Sequence, residues 1–388
     1  MKKHLFNLAA LMMGAALFTA CSNSDDDNTP VPVAVANGLY VICSGNTSSG
    51  IDGSLTYFDY QSISATPDAF KAANGRSLGQ TVNDAIIYGD KLYIVVDGEH
   101  KVFVCNKKNM KQLGVIDMTS GTILGETDGA HPRRITASGS NVYVSTYGGY
   151  VAAIDTVNFT LKQKYKVGSF PEGLVVSDGY LYVANSDYGN GQNPSISKVK
   201  LSDGSVTEIK NENIRNPQEI AIAGTASSGF FVYYLDYGQY GPAPTYAQEN
   251  AGVYCINPAG NITCCVPNAT AMATAGYYIY TINSPYGADK TSYSIYNIST
   301  GTRQSLNPAD IESPACIGVD PVTGNVFIAS YHMTETQWGP FADYSGNGYV
   351  VAYDSSLSTK LAKFDCGVGP QRFTFYLGVK YVQSNTLY

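Results

Sequence analysis

Short apolar runs with a period of two, each bounded by Gly, Asn, Asp, Ser or Pro, follow one another along most of the chain and predict strand after strand. Helical spacing is almost absent: Asp68 to Ala73 predicts one short helical turn and nothing more. The strands repeat. A run of the form Gly-x-Leu-Tyr-Val starts at Gly38, Asp90, Asn141, Gly179, Gly229, Gly276 and Gly324, seven copies in all. After each comes a loop and, in most copies, an alternating strand ending in Asp or Asn, at Asp59, Asn106, Asp155, Asn257, Asn297 and Asp354. Before most copies stands a strand led by proline, at Pro132, Pro171, Pro217, Pro314 and Pro370, while the equivalent places near Val82 and Thr270 lack it. A repeat of roughly 40 to 55 residues built from such strands is the signature of propeller blades with four strands each.

The last proline-led strand, Pro370 to Val382, has no blade of its own to begin, and the first Leu-Tyr-Val run, at Gly38, has no such strand before it. Joining the two predicts an all-β, seven-bladed β-propeller whose ring is closed by N- and C-terminal strands sharing one blade, a device that removes exposed sheet edges. The expected organisation is a signal peptide over 1–20, an acidic flexible tether over 21–36 and one propeller domain over 37–388.

Lys2 and Lys3 followed by the apolar run Leu5 to Phe18, too short to span a membrane, read as a secretory signal. Leu17-Phe18-Thr19-Ala20-Cys21 resembles a bacterial lipobox, which implies acylation of Cys21. The polar stretch Ser22 to Pro30 holds three consecutive aspartates and no hydrophobic residue, so it reads as a tether. A Ser followed by Asp residues after the lipidated Cys resembles the signal that sends Bacteroidota lipoproteins to the outer face of the outer membrane. The expectation is therefore a lipid-anchored outer-membrane protein facing the cell exterior. Net charge is −7, about −9 once Lys2 and Lys3 leave with the signal, and without a basic cluster nucleic acid is an unsuitable partner. Seven cysteines besides Cys21 are scattered without C-x-x-C spacing, which argues against a metal site or a full disulfide framework; one pairing is conceivable, Cys255 with Cys264 or Cys265 across the turn at Asn257 to Gly260.

The Pro-x-x-Ile then Gly-x-Leu-Tyr-Val cadence, with the opening Tyr40-Val41-Ile42-Cys43-Ser44-Gly45-Asn46 and Gly53-Ser54-Leu55-Thr56-Tyr57-Phe58-Asp59, resembles the YncE-like propellers. It is similar in particular to their Bacteroidota lipoprotein branch, which includes the BtuG-type surface cobalamin-binding proteins. The resemblance implies capture of a cobamide, a cobalamin-type corrinoid, and its delivery to a TonB-dependent outer-membrane transporter. Propellers that carry a Trp in nearly every blade, such as WD repeats and quinoproteins, fit poorly because Trp338 is the only tryptophan.

Two sets of loops share one end of such a ring, and both are unusual. The positions leading into the innermost strands carry Asn83, Asp84, Arg133, Arg134, Glu172, Gln218, Gln371 and Arg372, with Glu219 beside Gln218, a ring of charges and amides. The loops after the Leu-Tyr-Val strands carry Tyr147, Tyr188, Tyr237, Tyr240, Tyr286, Tyr331 and Trp338. Aromatic residues with a polar tip give large contact area at small entropic cost, so this face is expected to bind a bulky, amphipathic ligand. Tyr is equally a good strand residue, and the arginines equally suit salt bridges between blades. His100, His131 and His332 fall in three different blades without ligand spacing, so neither a metal nor a catalytic residue is expected and no cofactor beyond a corrinoid ligand. A metal-dependent lactonase-like hydrolase, using His131 and His332 with the ring carboxylates, is the enzyme alternative; glycan or peptide binding is the other.

Overall fold

The computed structural model describes residues 30–225, 229–287, 290–337 and 339–382. Among them are seven four-stranded antiparallel sheets, the blades of a β-propeller, and two small two-stranded ribbons. The only α-helix among the described residues is Ala69–Asn74, held by Asp68, whose side chain accepts from the Lys71 N–H, and by Gly75. None is long and apolar enough to cross a membrane.

Blade 1 takes its innermost strand, Pro370–Val382, from the chain's end and its second, Val31–Cys43, from the start. The innermost strands of blades 2 to 7 are Val82–Tyr88, Pro132–Ser138, Pro171–Ser177, Pro217–Thr225, Ala271–Ala275 and Ser313–Val319. Each touches the next, from blade 1 around to blade 7 and back to Pro370–Val382, an arrangement compatible with a closed ring. Part of the tether expected over 21–36 is strand instead: Val31 to Ala36 pair with Val382 to Leu377, because Val31, Val33 and Val35 alternate as a strand does. The signal peptide, Cys21 and the rest of the acidic stretch up to Thr29 lie outside the described residues.

Second and third strands are buried on both faces, as in Leu92 to Val96, Val142 to Thr146 and Val151 to Asp155, whereas outermost strands such as Leu161–Lys166 and Thr302–Leu306 are mostly exposed. Adjacent blades bury these faces against each other. One apolar cluster joins blades 1 and 2 through Ile42, Phe70, Leu92 and Phe103; another joins blades 7 and 1 through Leu39, Val41, Phe58, Phe327 and Val350. Dispersing the core into wedges between blades leaves the axis free of it, and polar residues occupy that space.

A single local device decides which polar residues these are. Proline is tolerated at the first position of a strand because its missing N–H breaks no ladder there, and directly after it the pairing slips. Register shifts fall between Pro132 and Ile135, Pro171 and Leu174, Pro217 and Glu219, and Pro314 and Cys316. Blade 2 has the same slip between Val82 and Asp84. A bulge removes its residues from regular pairing and turns their side chains away from the sheet. The residues so displaced include Asn83, Arg133, Arg134, Glu172 and Gln218.

Candidate functional site

The register places both expected loop sets at one end. Pro132 faces Thr146, Pro171 faces Asn185, Pro217 faces Asp236 and Ser313 faces Tyr331. Each innermost strand thus begins where its second strand ends, and the loop that follows emerges beside the bulge. We call this end the upper rim. Contacts between blades run along it: Asn46 Nδ2 donates to the Tyr344 carbonyl at 2.9 Å, and the Gln248 N–H donates to the Tyr286 carbonyl at 2.8 Å.

At the mouth, Arg133 spans three blades. Its NH1 group donates to Asp97 Oδ2 at 2.8 Å in blade 2, and Nε to Glu172 Oε2 at 3.1 Å in blade 4. Its guanidinium also lies over the Tyr147 ring, 4.4 Å from the centroid. The Tyr147 hydroxyl donates to Glu172 Oε1 at 2.5 Å, and burial, then the Glu172 charge, hold that phenol well above its ordinary range. Arg133 itself is held further into its charged form by Glu172 against the opposing effect of burial. It is therefore a bridge between blades.

Deeper in, a second ionic set forms. Arg372 NH2 meets Glu219 Oε1 at 2.9 Å, and its Nε lies 3.7 Å from Asp84 Oδ1. Asp84 also accepts from the Ala85 and Ile135 N–H groups. Arg134 NH1 donates to the Asn83 carbonyl at 2.6 Å, while burial and the nearby Arg372 lower its affinity for its proton. Asn83 donates to Asp97 Oδ2 and the Pro132 carbonyl, Gln371 to the Val82 carbonyl, and Gln218 to Asn216 Oδ1 at 2.6 Å. Tyr237 is half-buried, its phenol pushed up to about 12 by burial and by Glu219. A cavity of about 360 Å³ in this channel is lined by Glu219, Met272, Cys316, Arg372 and Phe373 among others.

The aromatic residues of the rim fall into three patches. Tyr147, Phe170 and Tyr188 meet at centroid distances of 5.1 to 5.8 Å. Tyr240, on the ribbon Gln239–Tyr240 with Gln248–Glu249, meets Tyr286 of blade 6 at 6.2 Å. Tyr331 packs on Tyr344, which touches Phe341 on the second ribbon. Tyr188, Tyr240 and Tyr286 are 66, 61 and 61 % exposed, whereas Tyr331 is half-buried and its phenol raised by burial. Trp338 lies outside the described residues.

Three features escaped the sequence. His100 and His131, read as unrelated, come together: their rings lie 4.9 Å apart at 88°. His332 instead sits in blade 7, 3.3 Å from Glu312. Asp97, which organises both Arg133 and His131, directly follows the second strand Lys91–Val96, close to where Asn185 and Asp236 end theirs; that recurrence of a polar residue at the end of a second strand was the available signal. Finally, a cavity of about 1130 Å³, larger than the one in the channel, lies not on the aromatic rim but at the other end of blade 1, lined by Tyr40, Tyr57, Asp59 and Tyr376.

Residues 37–122 match a family described as Domain of unknown function (DUF5074). No curated protein matches the chain in sequence. Among solved structures, the chain is similar to a putative 6-phosphogluconolactonase from Bacteroides uniformis ATCC 8492, at 12 % identity and a TM-score of 0.56, over 89 % of this chain and all of that one. It is similar also to hydrazine synthase from Kuenenia stuttgartiensis, at 14 % identity and a TM-score of 0.55, over 78 % of this chain and 95 % of the other. Both likenesses establish the propeller fold, since identity this low does not carry function.

Proposed function

We propose that this propeller is a surface lipoprotein that captures a nutrient on its upper rim, a cobamide, and passes it to a TonB-dependent outer-membrane transporter. The observation that carries the reading is the set of exposed tyrosines, Tyr188, Tyr240 and Tyr286, standing in neighbouring loops around a polar mouth. Exposed aromatic residues grouped in this way mark interaction surfaces. A corrinoid offers an apolar edge studded with amides, which suits phenol faces together with donors such as Gln218 and Gln371; a glycan would favour stacking tryptophans. The lipobox-like Cys21 and the resemblance to YncE-like and BtuG-type proteins support anchoring and surface exposure.

Titrating the purified protein with cyanocobalamin, read by calorimetry, tests the ligand. Saturable binding at micromolar concentration is expected, weakened about tenfold or more by replacing Tyr240 and Tyr286 together with Ala, on the scale of lost aromatic contacts. Absence of heat at that concentration removes the corrinoid. A hydrolase acting on lactones is the second reading, favoured by the fold shared with the Bacteroides uniformis protein and by Glu172, Glu219 and Asp84 near the channel. Turnover of a lactone by the wild type, abolished in Glu219→Gln, would establish it.

A further inference from the structure

Two histidines 31 residues apart in sequence meet where blades 2 and 3 join. The His131 backbone N–H donates to His100 Nδ1 at 3.1 Å, so that nitrogen carries the ring's lone pair, which a metal on it would take over from the N–H. The other partner is Asp97, whose Oδ1 lies 2.8 Å from His131 Nδ1. We propose that Asp97, His100 and His131 bind a first-row divalent transition metal of the zinc, nickel or cobalt type, set into the upper rim beside Tyr147.

The geometry supports this in four ways. One ligand atom from each of the three residues lies within 4.8 Å of the others, close enough for a small shift to gather them on one ion. The imidazoles meet edge to face at 88°, so they converge without stacking. Asp97 is held from behind, its Oδ2 accepting from Arg133 NH1 at 2.8 Å and Asn83 Nδ2 at 3.2 Å, which aims Oδ1 at His131; oriented ligands of this kind are what metal sites build. His131 keeps 54 % of its side chain exposed, leaving open positions toward the rim. Two imidazole nitrogens and one carboxylate oxygen select zinc-like ions over magnesium or calcium.

Local charge is favourable too. Asp97 and Glu172 carry two negative charges and Arg133 one positive, so a dication meets a net negative site. On binding, the metal takes the place of the hydrogen between His131 Nδ1 and Asp97 Oδ1, and that proton passes through solvent to His131 Nε2, so the neutral imidazole keeps its one proton. Nothing here depends on the ligand being a corrinoid.

The test is titration of the purified full-length chain with zinc chloride by calorimetry and with cobalt(II) chloride by its visible d–d absorption. One equivalent is expected for either ion. His100→Ala, His131→Ala and Asp97→Asn are each expected to weaken binding about tenfold or more, while His332→Ala and Cys264→Ser leave it unchanged. Circular dichroism melts are expected to show the histidine variants folded, since His131 is exposed and His100 only partly buried. Failure of the wild type to bind either ion overturns the proposal, as does uptake that survives His100→Ala and His131→Ala or disappears in Cys264→Ser.

Discussion

Arg133 shows what a residue at the mouth contributes. Its guanidinium, 17 % exposed, holds Asp97 and the 2 % exposed Glu172 at once. Removing one member of a buried ionic set leaves its partner without compensation, and the loss usually exceeds what the intact pair contributed. Glu172→Ala is therefore expected to lower unfolding stability by about 3 kcal/mol, with Glu172→Gln costing less because an acceptor for Tyr147 and Arg133 remains. Urea denaturation measures both, and a loss indistinguishable from zero in Glu172→Ala contradicts the bridging role. Arg133, Arg134 and Glu172 were legible in sequence as polar residues at the start of innermost strands. Their division of labour was not, because sequence spacing cannot tell a residue aimed at a ligand from one aimed at the next blade. For the same reason His100 and His131 read as strangers: proximity across blades depends on ring geometry that no local pattern encodes.

Among elements, the proline-led strand was the most legible, since a repeating proline and a repeating Leu-Tyr-Val run fix strand order and register together. What the repeat concealed was the bulge after each proline, which turns a strand start into a display of side chains. Another irregularity lies in blade 5, where pairing slips between Val253–Val266 and Tyr254–Cys264. Cys265 sits in that slip, and of the two candidates for pairing with Cys255 it is the one whose thiol hydrogen-bonds to it; all seven described cysteines are free thiols. The hydrogen bond from Cys255 lowers the Cys265 thiol below its ordinary value, while burial pushes Cys264 up and contact with Cys265 does so for Cys255. The thiolate is the nucleophile, so at mildly alkaline pH iodoacetamide is expected to modify Cys265 ahead of Cys264 and Cys255. Peptide mass spectrometry over a time course checks the order, and earlier labelling of Cys264, the more exposed of the three, contradicts it.

The molecule as a whole depends on a strand that arrives last. Blade 1 is incomplete until Pro370–Val382 pairs with Val31–Cys43, and the same strand delivers Gln371 and Arg372 to the channel. Truncation after Gly369 is expected to abolish cooperative unfolding altogether, because it exposes the apolar faces of blades 7, 1 and 2 simultaneously; a chain ending at Val382 retains every described contact and should unfold as the parent does. A sharp urea transition in the shorter chain would contradict this dependence. The sequence revealed the shared blade because a strand without a blade and a blade without a strand stood at opposite ends of the chain.

The long pairing of Val31 to Ala36 with Leu377 to Val382 also sets a direction. The innermost strand starts at Pro370 on the upper rim and runs downward, so Val31 lies at the far pole from Tyr188, Tyr240 and Tyr286. Six residue pairs at roughly 3.3 Å per residue make a stalk of about 20 Å, with Val379 and Tyr381 63 and 72 % exposed along it. Were the molecule moored through its leading segment, this stalk would lift the body clear of the bilayer and point its tyrosine crown outward, toward whatever drifts past the cell.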